Sequence, residues 1–258
     1  MLLAIDVGNS HIVLGLFEGS RLRHQWRVNT RHDTTTDELA GLLFGLFNMA
    51  DVKLTDISDV IIASVVPPLQ PALNSYCRSY LGKTPLVVSN AMHTDMRILI
   101  DYPEEVGADR IVNAIAGYER YKTALIVVDF GTAITFDCVS VSGDYLGGII
   151  APGIAISLEA LGSRTAKLPR VDISTTPPGV IGKNTVEAIK SGILFGYGSL
   201  VDGLVKKIAN SMLPFQPKVI ATGGMANLIQ PYADTIEEVH PLLTLEGLYL
   251  LYEKNHEC

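Results

Sequence analysis

Apolar residues along this chain alternate between short solid runs and helix-spaced stripes, the pattern of an α/β protein. Residues 2–7 form the first run and lead into the turn sequence Gly8-Asn9-Ser10. Runs over 12–17 and 22–28, separated by Glu18-Gly19-Ser20, predict two further strands. Thr35 and Glu38 then have the spacing of a capping box. Leu39, Leu42, Leu43, Leu46 and Phe47 follow as one helical face. Residues 60–65 predict a strand, 69–81 a helix and 86–88 a short strand.

Near the chain midpoint the opening theme returns. A predicted helix over 109–121 precedes an apolar strand at 125–128 and a partner strand at 134–139. Ile5-Asp6-Val7-Gly8-Asn9 and Val128-Asp129-Phe130-Gly131-Thr132 both set Asp-x-Gly-[Asn/Thr] between two strands. One such turn is ordinary, but two copies half a chain apart, each followed by the same strand, indicate duplication. The expected architecture is two similar α/β halves facing a cleft, residues 1–118 and 119–258. Residues 163–184, rich in Pro, Gly and Thr, predict a surface excursion in the second half. A helix over 185–209, a strand over 218–222, a helix over 225–232 and a closing helix over 245–252 complete the pattern.

Composition narrows the function classes. With 48% hydrophobic and 18% charged residues the chain has the make-up of a compact globular protein. A net charge of −7 argues against nucleic acid as partner, while leaving room for a local cationic pocket. Asp6 interrupts the first apolar run and no basic leader precedes it, so these residues do not read as a signal peptide. The richest apolar stretch, residues 192–204, contains Asp202, so no membrane segment is expected. Cys77, Cys138 and Cys258 lack metal or disulfide spacing and read as reduced thiols of a cytoplasmic protein.

The candidate chemistry lies at the turns. Glycine lets backbone approach phosphate closely, and a carboxylate at a strand end holds a cation that offsets phosphate charge. Asp6 and Asp129 are candidates for that role, with Asn9, Ser10, Thr132 and Thr135 as side-chain donors. Gly82-Lys83-Thr84 resembles the end of a P-loop, but Cys77 stands where the first glycine is required and a helix precedes it. Gly82 therefore reads as a helix terminator. Gly107-Ala108-Asp109-Arg110 opens a helix, where Asp109 is either a first-turn capping residue or a carboxylate base beside a guanidinium clamp. The glycines of Gly147-Gly148-Ile149-Ile150-Ala151-Pro152-Gly153, placed between an expected strand and a helix, permit close backbone contact or form a simple tight turn. Ala221-Thr222-Gly223-Gly224 is expected to run from a strand into a nucleotide-facing turn.

Taken in order, Asp6-Val7-Gly8-Asn9-Ser10, Gly107-Ala108-Asp109-Arg110-Ile111 and Asp129-Phe130-Gly131-Thr132-Ala133-Ile134-Thr135 resemble type III pantothenate kinase. The segments from Gly147 to Gly153, from Thr185 to Gly192 and from Ala221 to Gly224 continue the resemblance over essentially the whole chain. It implies two ribonuclease H-like halves of the actin, hexokinase and acetate kinase superfamily. It also implies ATP-dependent phosphorylation of pantothenate to 4'-phosphopantothenate, the first step of coenzyme A biosynthesis. Asp6, Val7, Gly8, Asn9, Ser10, His11, Ile12 and Val13 would form the first phosphate-binding hairpin, and Thr132 would contact ATP. Gly107, Ala108, Asp109, Arg110 and Thr185 would bind pantothenate, with Asp109 taking the hydroxyl proton. Asp129 would hold a monovalent cation, potassium or ammonium, and magnesium would accompany ATP. The family resemblance further implies a homodimer. A family tyrosine three residues before the proline preceding Gly-Ala-Asp-Arg would fall on Ile100 here, and the nearest tyrosine is Tyr102. Two other readings share the duplicated turns: an accessory transcription factor without catalysis, and a sugar kinase or phosphatase of the same superfamily.

Overall fold

The computed structural model describes residues 1–89, 92–165 and 167–256; Cys258 lies outside the described residues. Two compact units are present. One holds Met1–Asp95, Asp101–Ala116 and the segment from Leu243 onward, and the other holds Met96–Ile100 and Gly117–Leu242.

The first unit is built on a five-stranded sheet. Strands β1 (Leu2–Val7), β2 (His11–Glu18) and β3 (Arg21–Asn29) form an antiparallel meander. β4 (Asp59–Ser64) runs parallel to β1, and β5 (Leu86–Val87) parallel to β4, giving the order β3-β2-β1-β4-β5. Central β1 and β4 are buried on both faces, which is why they read as solid apolar runs. On one face, Leu3, Ile5, Val7, Leu14 and Ile62 pack with Leu39, Leu43 and Phe47 of α1 (Thr36–Met49) and with Leu73, Tyr76 and Cys77 of α2 (Gln70–Tyr80). Thr35 caps α1, its hydroxyl accepting from the Glu38 amide while the Glu38 carboxylate accepts from the Thr35 amide at 2.8 Å. On the other face Leu245 of α7 (Leu243–His256) approaches Gly15, its Cδ1 3.0 Å from where a side chain there would begin. α3 (Ala108–Tyr121) approaches α7 where Gly247 meets the Val112 carbonyl.

Gly82 adopts φ +64° at the end of α2, and the Lys83 amide bonds to the Cys77 carbonyl at 2.9 Å. The segment is a helix stop and forms no phosphate cradle. Cys77 and Cys138 are buried free thiols, and burial pushes the Cys77 thiol up to about 12, the state of an inert core residue.

The second unit repeats the plan. β6 (Leu125–Phe130), β7 (Ala133–Val139) and β8 (Tyr145–Pro152) form the meander; β9 (Lys218–Thr222) runs parallel to β6 and β10 (Glu238–Val239) parallel to β9. The order is β10-β9-β6-β7-β8, the order of the first sheet with each strand replaced by its counterpart. Ile126, Val128, Phe130 and Phe136 pack against α4 (Ile154–Ser163) and α5 (Thr185–Ser211), whose Ile189, Ile193, Val201, Val205 and Ile208 form one helical stripe. Asp137 is fully buried and accepts from the hydroxyls of Tyr145 at 2.7 Å and Thr135 at 3.0 Å. Residues 164–184 carry no strand or helix among the described residues, so the excursion begins where α4 ends.

Two local expectations are corrected. Gly147 and Gly148 lie inside β8 rather than in a turn after it. Gly147, at φ +108°, stands opposite a register shift between Cys138 and Val139, so it serves a bulge on an edge strand. The single helix expected over 225–232 is broken into α6 (Ala226–Ile229) and a 3-10 turn at Gln230–Tyr232, because Pro231 has no amide to continue it.

Candidate active site

Both Asp-x-Gly turns close at the carboxyl ends of central strands, where open α/β sheets bind ligands. Asp6 pairs across β1 with Val13 of β2 and Ala63 of β4 and is half-buried. Beyond it the Gly8 amide donates to the His11 carbonyl at 3.0 Å, leaving Asn9, Ser10 and His11 exposed at the tip. Val7 and Ile12 are buried beneath the tip.

The helix that carries Asp109 reaches the same edge. The Val65 amide donates to the Val7 carbonyl at 3.0 Å, and Val65 Cγ1 lies 3.4 Å from where a Gly107 side chain would begin. That position is also 2.5 Å from Asp109 Oδ1, so the carboxylate folds back over the glycine. Any side chain at 107 would displace it. Asp109 Oδ1 accepts from the Arg110 amide at 2.9 Å, so the residue does cap the first turn of α3. Capping does not exhaust its chemistry. Protein packed around the carboxylate holds its pKa above the ordinary value, and the Arg110 amide and guanidinium offset only part of this. The residue still keeps some open surface. A desolvated carboxylate with raised basicity, reachable by a ligand, is the form a general base takes.

In the second unit, Asp129 pairs with Thr135 and Thr222 and is half-buried, while Thr222 is buried. Gly223, at φ +91°, is the left-handed residue that turns the chain after β9; a Cβ there would stand 2.4 Å from Asp129 Oδ1. At Gly153 a Cβ would stand 2.1 Å from the Thr132 carbonyl oxygen and 2.8 Å from that of Gly131. Two glycines thus press backbone against the Asp129–Thr132 turn, and of the glycines between 147 and 153 it is Gly153 that makes the close backbone contact there. Thr185 is the first residue of α5, whose N-cap Asn184 accepts from the Glu187 amide at 2.9 Å. Thr185 lines a cavity of about 580 Å³ with Lys183, Leu161, Leu168 and Ile189. Ile100, at the family tyrosine's position, packs within 3.3 Å of a Gly147 Cβ position, and Tyr102 is exposed.

The site residues therefore fall into two sets. Asp6–Val13 and Gly107–Arg110 belong to the first unit, and Asp129, Thr132 and Thr185 to the second. Among the described residues no three His, Cys, Asp or Glu side chains gather into a metal-binding group. No described helix is long and apolar enough to cross a membrane.

A twice-repeated 3-2-1-4-5 sheet with an Asp-bearing turn after each first strand defines the actin and hexokinase type of ATPase fold, in two ribonuclease H-like halves. Among solved structures, a Campylobacter jejuni protein assigned to the Baf family of transcriptional activators superposes with a TM-score of 0.61 at 19% identity, covering 99% of this chain and 100% of its own. Component A of the Acidaminococcus fermentans (R)-2-hydroxyglutaryl-CoA dehydratase superposes with a TM-score of 0.57 at 15% identity, over 99% and 98% of the two chains. At such identities the likeness speaks to the fold alone. Sequence is more specific: the type III pantothenate kinase family model matches residues 2–207. A type III pantothenate kinase of Citrifermentans bemidjiense is 55% identical over 255 residues, covering 99% of this chain and all of its own. The chain belongs to the type III pantothenate kinase family, and is a phosphotransferase.

Proposed function

We propose that the protein transfers the γ-phosphoryl group of ATP to the 4'-hydroxyl of pantothenate, opening coenzyme A biosynthesis. The observation that carries this reading is the desolvated carboxylate of Asp109, folded over Gly107 at the strand edge that also carries Asp6. Asp109 accepts the hydroxyl proton as the oxygen attacks phosphorus. Gly107, Ala108 and Arg110, together with Thr185, hold pantothenate, the guanidinium suiting a carboxylate-bearing substrate. Backbone amides of Asp6–Val13 and the Thr132 hydroxyl hold ATP phosphates. In this reading the duplication divides the chain into residues 1–118 and 119–258. The compact units exchange short segments across that division, with α7 belonging to the first unit and Met96–Ile100 to the second.

The donor set fits one monovalent cation better than a dedicated divalent cage. Asp129 contributes one half-buried carboxylate, matched in charge to potassium or ammonium. Magnesium bound to ATP needs few protein ligands because phosphate oxygens and water fill its shell. When bound with ATP, magnesium would supply positive charge to the phosphates during transfer. Replacing potassium by sodium is expected to lower kcat/KM for ATP at least about tenfold, and Asp129→Ala to erase the difference between the ions. Equal rates in the two salts would remove the cation from this account.

Large apolar side chains are exposed on both units, among them Phe44 and Met49 of α1 and Ile150, Val180 and Ile181 of the second unit, with Ile181 86% exposed. The homodimer is proposed from the family resemblance, and Ile181, the most exposed of these side chains, has apolar surface to bury in it. Light scattering is expected to give twice the chain mass, and Ile181→Asp to shift it toward the monomer; a monomeric wild type would overturn this. Assaying ADP release with pantothenate, and separately with hexoses, tests the substrate. Release stimulated by hexoses and not by pantothenate would favour the sugar kinase reading. The protein is proposed to work in the cytoplasm.

A further inference from the structure

Thr30 follows directly after β3, 22 residues along the chain from the turn it touches. Its hydroxyl donates to the Gly8 carbonyl at 2.6 Å, and its amide donates to the Ser10 carbonyl at 3.0 Å. Both contacts engage turn carbonyls, and both sit in the hairpin read above as the first phosphate cradle. A phosphate site needs N–H groups turned toward the ligand and carbonyl oxygens turned away, since a carbonyl dipole aimed at an anion repels it. A trans peptide is planar with its N–H opposite its C=O, so fixing the Gly8 carbonyl also fixes the direction of the Asn9 amide. Glycine makes this peptide the easiest in the turn to rotate, so it is the one that most needs holding.

The duplicated half solves the same problem differently. Gly153 directly follows β8 as Thr30 directly follows β3. There the backbone itself lies against the turn carbonyls of Gly131 and Thr132. A side-chain hydroxyl in one half and a bare glycine in the other occupy equivalent places. We propose that Thr30 is a positioning residue for ATP, holding the Gly8–Asn9 peptide in the orientation that presents the Asn9 amide to phosphate. This rests on the hairpin reading given above.

The test is steady-state kinetics on Thr30→Val, Thr30→Ser and Asp6→Asn, with thermal unfolding on the same preparations. Valine keeps the shape and the backbone amide and removes the hydroxyl. Thr30→Val is expected to raise the KM for ATP about tenfold, with the KM for pantothenate and the Tm unchanged. Thr30→Ser is expected to restore ATP use to within about twofold of wild type. A KM for ATP that rises in Asp6→Asn and not in Thr30→Val would overturn the role of Thr30 and leave the hairpin reading standing. No change in either variant would overturn both. A Thr30→Val protein with lowered Tm, both KM values raised alike and no rescue by serine would reduce Thr30 to a structural residue.

Discussion

Asp109→Asn is expected to lower kcat about 10²-fold while leaving the KM for ATP near that of the wild type. Positioned general bases contribute about 10²–10⁴-fold, and a loose phosphoryl-transfer transition state moves the proton late, which favours the lower end. The amide keeps the oxygen that accepts from the Arg110 N–H, so the start of α3 survives. Stability has a definite sign as well. Burial raises the folded-state pKa of Asp109 above its unfolded value, so folding favours the protonated form. Ionisation therefore subtracts stability above the folded value, and the loss is absent below the unfolded one. Removing the charge should leave Tm at neutral pH equal to or above that of the wild type. The same shift sets the pH profile: kcat/KM should fall with acidification at a pH higher than an ordinary aspartate would give, because the base works only when ionised. A stable Asn variant with near wild-type kcat would leave Asp109 a helix cap and nothing more.

Gly153→Ala is expected to lower kcat/KM for ATP about 10²-fold, a loss read through geometry alone. Its new methyl would lie 2.1 Å from the Thr132 carbonyl and 2.8 Å from that of Gly131, both backbone atoms, so the turn must move. Gly203→Ala is the matched control. It lies exposed in α5 with nothing within 4 Å of a Cβ, where alanine should stabilise the helix by about 0.5–1 kcal/mol and leave turnover unchanged. If both variants behaved alike, the close packing at Gly153 would have no catalytic consequence.

Much of the fold was legible because its signals are local. Thr35 and Glu38 lie three residues apart and fix the start of α1 without help from the rest of the molecule. The solid runs at β1 and β6 followed from burial on both sides, and the repeated Asp-x-Gly turn pointed to duplication before the strand order could be known. What escaped depended on distant partners. Gly147 in isolation is equally a turn residue or a bulge, and only its pairing against Cys138 makes it a bulge. Thr30 looks like a loop residue until the meander brings Gly8 beside it. In the site, the composition of Gly-Ala-Asp-Arg was visible in the sequence. That Asp109 curls over Gly107 beside Val65, and that this burial raises its pKa, comes from packing between segments far apart in the chain.

The central claim is that this chain phosphorylates pantothenate on its primary hydroxyl. Purified protein should be incubated with pantothenate, ATP, magnesium and potassium, and the product analysed by mass spectrometry and phosphorus NMR. The account predicts equimolar ADP and a single phosphate monoester at the 4' position, formed far more slowly by Asp109→Asn. Folded wild-type protein that yields no phosphopantothenate under those conditions, or that phosphorylates a hexose instead, would contradict it.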